Sequence, residues 1–456
     1  MYHVLFLIPE LTELPIYVMI LTAKFDKEAF CMKKLLTLAL ALVLCLTAFA
    51  AVAEPLELTM YFPVNVGGSA ALLIDNMTNE FNTQNPDIKV SAVYTGNYDD
   101  TVTAIQTAIQ GGNPPDLFVS LATQRFTMAD TKMAMPLDDL IAADPEGQAF
   151  VDDFIDGFML DSYVEGKTYS IPFQRSTMVM FYNKDAYKEV GLDPECPPKN
   201  WTELVEYAQK LTNDKRKGVA IALNSGSAQW AFTGFSLQNC TNGVGLMSAD
   251  GKEVYFDTPE NVEALQLWLD LQNKYQVMNP GIVQWTDMPT QFLAGEVAMI
   301  YHTTGNLTNI KNNATFDFGV AFLPAGKQWG APTGGGNFYI TNGISEERQQ
   351  AAWKYIKFMC STENAAQWSI DTGYVATRNS CYETPVLKEY YASFPQALVA
   401  YEQLQYAQPE LTTYNAAEMW RILNDNIQAA VIGEMTAEEA LQQAQEQGDD
   451  LLFDYQ

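Results

Sequence analysis

One stretch, Pro172-Phe-Gln-Arg-Ser-Thr-Met-Val-Met-Phe-Tyr-Asn-Lys-Asp-Ala186, constrains the fold of this 456-residue chain more than any other. Its run of β-branched, thioether and aromatic side chains predicts a buried strand. Arg175, Ser176 and Thr177 stand near its start, and Tyr182-Asn183-Lys184-Asp185 closes it. Polar side chains in a buried strand need partners. A strand that leaves one lobe and enters another sets them at the crossing, and small-molecule sites favour such junctions.

The N-terminal region stands apart. Met32-Lys33-Lys34 precedes an apolar run, Leu35 to Ala50, and then Ala51-Val52-Ala53. That order is a secretory signal, and the apolar run falls short of the roughly 20 residues that span a bilayer. Residues 1–31 are expected to be an upstream mis-start, 32–53 the signal peptide, and Glu54 the first residue of the exported product. Leu44 rather than a small residue precedes Cys45, so the product is expected to be soluble and periplasmic; a lipid on Cys45 would make it envelope-associated. The remaining 403 of 456 residues suit two lobes rather than one small core. The leader holds as many lysines as acids, so the product keeps the whole net charge of −29. That charge argues against nucleic acid and anionic membrane as partners.

Strands and helices alternate. Leu56–Phe62, Ile88–Tyr94 and Asp116–Ser120 are predicted strands, with helices at Ala70–Asn82 and Asp99–Gln110 between them. This alternation implies βαβ units and a mostly parallel sheet. Further helices are predicted at Trp201–Asn213, Pro259–Tyr275, Glu346–Met359, Thr362–Thr372 and Thr436–Leu452, with Glu363 after Ser361 and Thr362 as a capping arrangement. Phe316–Pro324 is a predicted strand and the second crossing, and Gly373-Tyr374 the third. The lobes are then 54–173 plus 325–372, and 174–324 plus 373–456.

Few residues here carry catalytic chemistry. Beyond the leader the only histidine is His302, which argues against histidine triads, histidine-liganded zinc and imidazole acid–base steps. His302 is expected to be a hydrogen-bonded structural or cleft-edge residue. Cys196, Cys240, Cys360 and Cys381 show no CxxC spacing and admit three disulfide pairings. No metal or cofactor is expected. Gly334-Gly335-Gly336-Asn337 reads either as a tight turn or as a backbone cradle for an anion. Aromatic residues make up 12% of the chain, and several stand beside small polar residues in expected loops: Tyr98, Trp230, Trp285, Phe338, Tyr339 and Tyr374. Such a set suits a solute with apolar faces and a hydroxyl rim. Arg175 reads either as a structural salt bridge at the hinge or as a clamp on an anionic group.

Phe81-Asn-x-x-Asn-Pro-Asp87, Tyr94-Thr-Gly-Asn-Tyr98, Phe181-Tyr-Asn-Lys-Asp-Ala186, Gly191 to Lys199, Gly334-Gly335, Ser361 to Trp368 and Thr372-Gly373-Tyr374 together resemble the bacterial extracellular solute-binding proteins of family 1, the receptors of ABC importers. The likeness is strongest to the family's glycerol-phosphate-binding branch. It implies a two-lobed α/β periplasmic-binding-protein fold of the type II kind, joined by crossover strands, with hinge closure on a ligand in the cleft. The implied partners are a small carbohydrate or glycerophosphate and the membrane subunits of an ABC permease, with the receptor itself a monomer and not an enzyme. The resemblance places ligand contacts on Tyr98, Ser176, Trp230, Thr304, the Gly335 amide and Tyr374. It departs at Ala122, where that branch carries an acid, at Ser227 or Ala228, where it carries a second tryptophan, and at Trp420, where it carries a phosphate-binding arginine. A neutral sugar would let Trp420 stack; an anionic ligand would have to meet Arg175, Arg421 or Arg125. A secreted carbohydrate-active enzyme is the remaining alternative.

Overall fold

Ile171–Asn183 is a single strand in which all thirteen residues are buried. The computed structural model describes residues 54–64, 70–224, 227–241 and 245–456, so the expectations for 1–31 and 32–53 lie outside the described residues. In chain order the strands are β1 (Leu56–Phe62), β2 (Ile88–Tyr94), β3 (Leu117–Leu121), β4 (Tyr163–Val164), β5 (Lys167–Thr168), β6 (Ile171–Asn183), β7 (Lys217–Ala220), β8 (Val297–Thr303), β9 (Phe318–Ala321), β10 (Ala331–Ile340) and β11 (Ala407–Gln408).

Strand β6 changes partners halfway along. Its first part pairs with β10, with Ser176 opposite Gly334 and Arg175 opposite Gly335. From Met178 onward it lies between β8 and β9. Strand β10 in turn joins β6 to β3, and the order across the sheet is β2-β1-β3-β10-β6-β8-β7. The two lobes are therefore threaded by shared strands. One apolar core holds Leu58, Met60, Ile171, Phe173, Phe338 and Ile340. Beyond the crossing β6 is buried on both faces, as its unbroken apolar sequence requires. Met178, Met180 and Tyr182 enter one core with Val219, Trp268 and Leu423, and Val179 and Phe181 enter another with Phe292 and Ile300.

Three expectations are corrected. The sheet is parallel where β1 meets β2 and β3 and where β7 meets β8, but its centre is antiparallel, because β10 runs against both β3 and β6. The glycine triplet is neither a turn nor a loop cradle; it lies inside β10. Trp230 lies in the first turn of the helix Ala228–Asn239, not in a loop. That helix is buried on every side and so carries no amphipathic period to betray it. Helices Pro385–Ser393 and Ala416–Val431 were likewise not anticipated. At Thr362–Thr372 the cap is the Ser361 hydroxyl, which accepts from the Asn364 amide, and Gly373 ends the helix at φ +89°. Among the described residues Cys196, Cys360 and Cys381 are free, Cys240, Cys360 and Cys381 are buried, and no helix is long and apolar enough to cross a membrane.

Candidate binding site

The glycine triplet shapes a cavity beside the β6–β10 crossing. A Cβ on Gly334 would sit 2.6 Å from Trp230 Cζ2 and 3.3 Å from Ser176 Oγ. Gly335 adopts φ +93°, where a side chain would collide with the Gln174 carbonyl, and a Cβ on Gly336 would lie 2.9 Å from the Tyr98 hydroxyl. The missing side chains let Trp230 and Tyr98 pack directly on the strand. Gly334→Ala is accordingly expected to displace Trp230, costing about 1–3 kcal/mol of stability by overpacking. Denaturant unfolding and solute titration of the same variant measure that cost and the accompanying loss of affinity.

The cavity has a volume of about 280 Å³, at the small end of ligand clefts. Asn97, Tyr98 and Asp99 reach it from the start of helix Tyr98–Gln110. An Asn97–Asp100 capping box fixes that start. Trp230, Trp285, Tyr374 and Trp420 supply the remaining rings. Trp230 donates from Nε1 to the Thr333 carbonyl at 2.9 Å, and Trp420 donates to the Leu411 carbonyl at 2.8 Å. Each indole is thus oriented by backbone. Trp285 lies 5.4 Å from Trp230 between ring centroids and stacks on His302 at 3.7 Å and 20°. Asn306 Nδ2 donates to His302 Nδ1 at 2.9 Å, leaving Nε2–H to donate to the Trp285 carbonyl at 3.3 Å. Burial lowers the His302 pKa to about 3, so the imidazole is neutral and acts as a fixed platform under Trp285.

The polar lining comes from Ser176, Asn224, Ser227, Gln229, Thr286, Thr303, Asp99 and Glu410. Tyr98 donates to Gln174 Oε1 at 3.2 Å, and burial raises its pKa and that of neighbouring Tyr374, so both phenols stay neutral. Glu410 is 5% exposed. Burial and then nearby Asp161 push its carboxyl up to about 8, against the opposing pull of Arg175 and Thr123. Burial also raises Asp99. Among the described lining residues there is no lysine or arginine.

Behind the cavity wall, Asp161 accepts from Arg125 Nη1 at 2.8 Å, Arg175 Nη2 at 2.7 Å and Thr333 Oγ1 at 3.1 Å. Arg175 also donates to Asn337 Oδ1 at 3.2 Å. All three charged side chains are buried.

The structure therefore brings together Tyr98, Ser176, Trp230, Gly335, Tyr374 and Trp420. It does not bring Arg175 or Thr304 to the cavity. Arg175 is consumed by its pairing with Asp161. Thr304 is buried, with its hydroxyl accepting from the Thr177 amide at 3.4 Å, and its neighbour Thr303 lines the cavity instead. Arg421, beside Trp420, points to solvent and pairs with Glu418 and Asp425. Phe338 and Tyr339 are core residues rather than cleft aromatics. Glu410, Asn224 and Gln229 were missed. Glu410 arrives through the two-residue strand β11, which pairs with Ala331 and Pro332, and so short an element leaves no pattern in a single sequence.

Two α/β lobes threaded by shared strands, with an aromatic-walled cavity at the crossing, are the architecture of a solute-binding receptor. The chain belongs to the bacterial extracellular solute-binding proteins, whose family model matches residues 76–396. It is 30% identical over 416 residues, 86% of this chain and 92% of the relative, to the sn-glycerol-3-phosphate-binding periplasmic protein UgpB of Salmonella paratyphi A. Its fold matches that of UgpB from Mycobacterium tuberculosis in complex with glycerophosphocholine (TM-score 0.76, 24% identity, 88% of this chain and 99% of the other). It also matches the cyclic α-maltosyl-1,6-maltose binding protein of Arthrobacter globiformis (TM-score 0.75, 22% identity, 88% and 100%).

Proposed function

We propose that this receptor captures a neutral carbohydrate or polyol in the cavity between Tyr98, Trp230 and Trp420, by hinge closure of lobes 54–173 plus 325–372 on 174–324 plus 373–456, and hands it to an ABC permease. It acts as an exported, periplasmic monomer and performs no chemistry on the solute. The observation that carries the ligand class is the lining: five aromatic rings and two carboxyl groups, with no lysine or arginine among the described residues. Ring faces suit the C–H surfaces of a sugar, and the carboxyl and amide groups suit its hydroxyls. A phosphate would find no charge partner there, since Arg125 and Arg175 are held by Asp161 and Arg421 faces solvent.

The second reading is a glycerol-3-phosphate or glycerophosphodiester receptor. The glycerol-phosphate names of the relatives favour it. A thermal-shift screen decides between them, because a solute that binds the folded state raises its melting temperature. Saccharides or polyols are expected to raise it and sn-glycerol 3-phosphate to leave it unchanged; the opposite result would establish the second reading. Turnover of a glycoside by the purified protein would contradict the receptor without chemistry.

A further inference from the structure

Glu410 occupies an unusual place in the cavity. It is buried, it faces the space a solute would fill, and its chain segment is pinned there by β11. Thr123 and Asp161 stand next to it, with Arg175 close enough to act on its charge and Tyr98 near enough to feel it. Arg125 pairs with Asp161, and Asp99 lines the same cavity. The two guanidiniums share one aspartate and neither lines the cavity, so none of the described lining residues offers the carboxyl a cation there.

We propose that Glu410 is the specificity-determining residue of the cleft, a carboxyl that exchanges hydrogen bonds with a solute hydroxyl and turns away solutes bearing phosphate or carboxylate. This rests on the carbohydrate reading above. Between pH 4.5, its ordinary value, and about 8 the folded chain keeps this carboxyl protonated. The acid then offers one O–H donor and one acceptor, which a hydroxyl can satisfy together. A neutral solute removes the remaining water and favours the protonated acid further. Its affinity is therefore full below about pH 8 and falls as the pH rises beyond. The protonated acid gives an anion one O–H donor but no counter-charge, and above about pH 8 the anion also meets a like charge.

The test uses maltose, mannotriose and α-D-tagatose as neutral probes and sn-glycerol 3-phosphate as the anionic one, with calorimetry on wild type, Glu410→Ala and Glu410→Gln. At least one neutral probe is expected to bind wild type. Glu410→Ala should weaken that probe roughly tenfold or more, the effect of stripping a partner from a desolvated hydroxyl. Glu410→Gln, which keeps a donor and an acceptor, should bind it nearly as well and lose the fall above pH 8. Should the alanine variant fail to fold, the pH profile of the glutamine variant decides: one that still falls as in wild type overturns the proposal. Equal binding by a folded Glu410→Ala, or tight binding of sn-glycerol 3-phosphate by wild type, would also overturn it. If no neutral probe binds wild type, the carbohydrate reading fails and this proposal with it. A neutral probe that binds but ignores Glu410 sinks the proposal alone.

Discussion

Asp161→Ala is expected to destabilise the protein by about 3–5 kcal/mol, the cost of breaking a buried ion pair from one side. The carboxylate is 1% exposed and is the shared partner of Arg125 and Arg175. Its removal leaves two desolvated guanidiniums facing each other with no counter-charge. Arg175 is poorly placed to adjust, since its Nε already lacks a hydrogen-bond partner. The cluster joins β6, β10 and the segments around residues 125 and 161, so the damage should reach the crossing itself. Denaturant unfolding measures it. A loss below about 1 kcal/mol, the value of an exposed pair, would show that water reaches the cluster and that Arg175 is available to a ligand after all.

Trp230→Ala is expected to weaken solute binding by about 2–4 kcal/mol, the range of a central aromatic hot spot. Trp230 packs on Gly334, leans on Trp285 and is oriented by the Thr333 carbonyl. It thus occupies one place and can present a fixed face to a ring. It is also 8% exposed and part of a core, so stability must be followed alongside affinity. A folded variant that binds as tightly as wild type would move the site elsewhere.

What could be read from residues divides along physical lines. Strand β6 was legible because thirteen residues buried on both faces leave an apolar run that few other structures share. Strands β1 and β2 and the helices Glu346–Met359 and Thr362–Thr372 were legible from turn and period signals, and their bounds agree with the expectation. The reach of β10 was not, since glycine is depleted in strands and its triplet imitates a turn; here the close approach of Trp230 and Tyr98 overrides propensity. Among site residues, Tyr98, Ser176, Trp230, Gly335, Tyr374 and Trp420 converge where motif resemblance put them. From the sequence Arg175 reads two ways, and only the position of Asp161, fourteen residues earlier, distinguishes them. Nothing local marks Glu410, because what makes it matter is a charge cluster assembled from three other parts of the chain.

Capture of a neutral solute is expected to close the two lobes on the cavity beside the β6–β10 crossing. Small-angle scattering of the exported protein, with and without the saccharide that most raises its melting temperature, tests it most directly. A smaller radius of gyration is expected at saturation, and no such change with sn-glycerol 3-phosphate at the same concentration. An unchanged radius with the saccharide bound, or contraction driven by the phosphate instead, would contradict it.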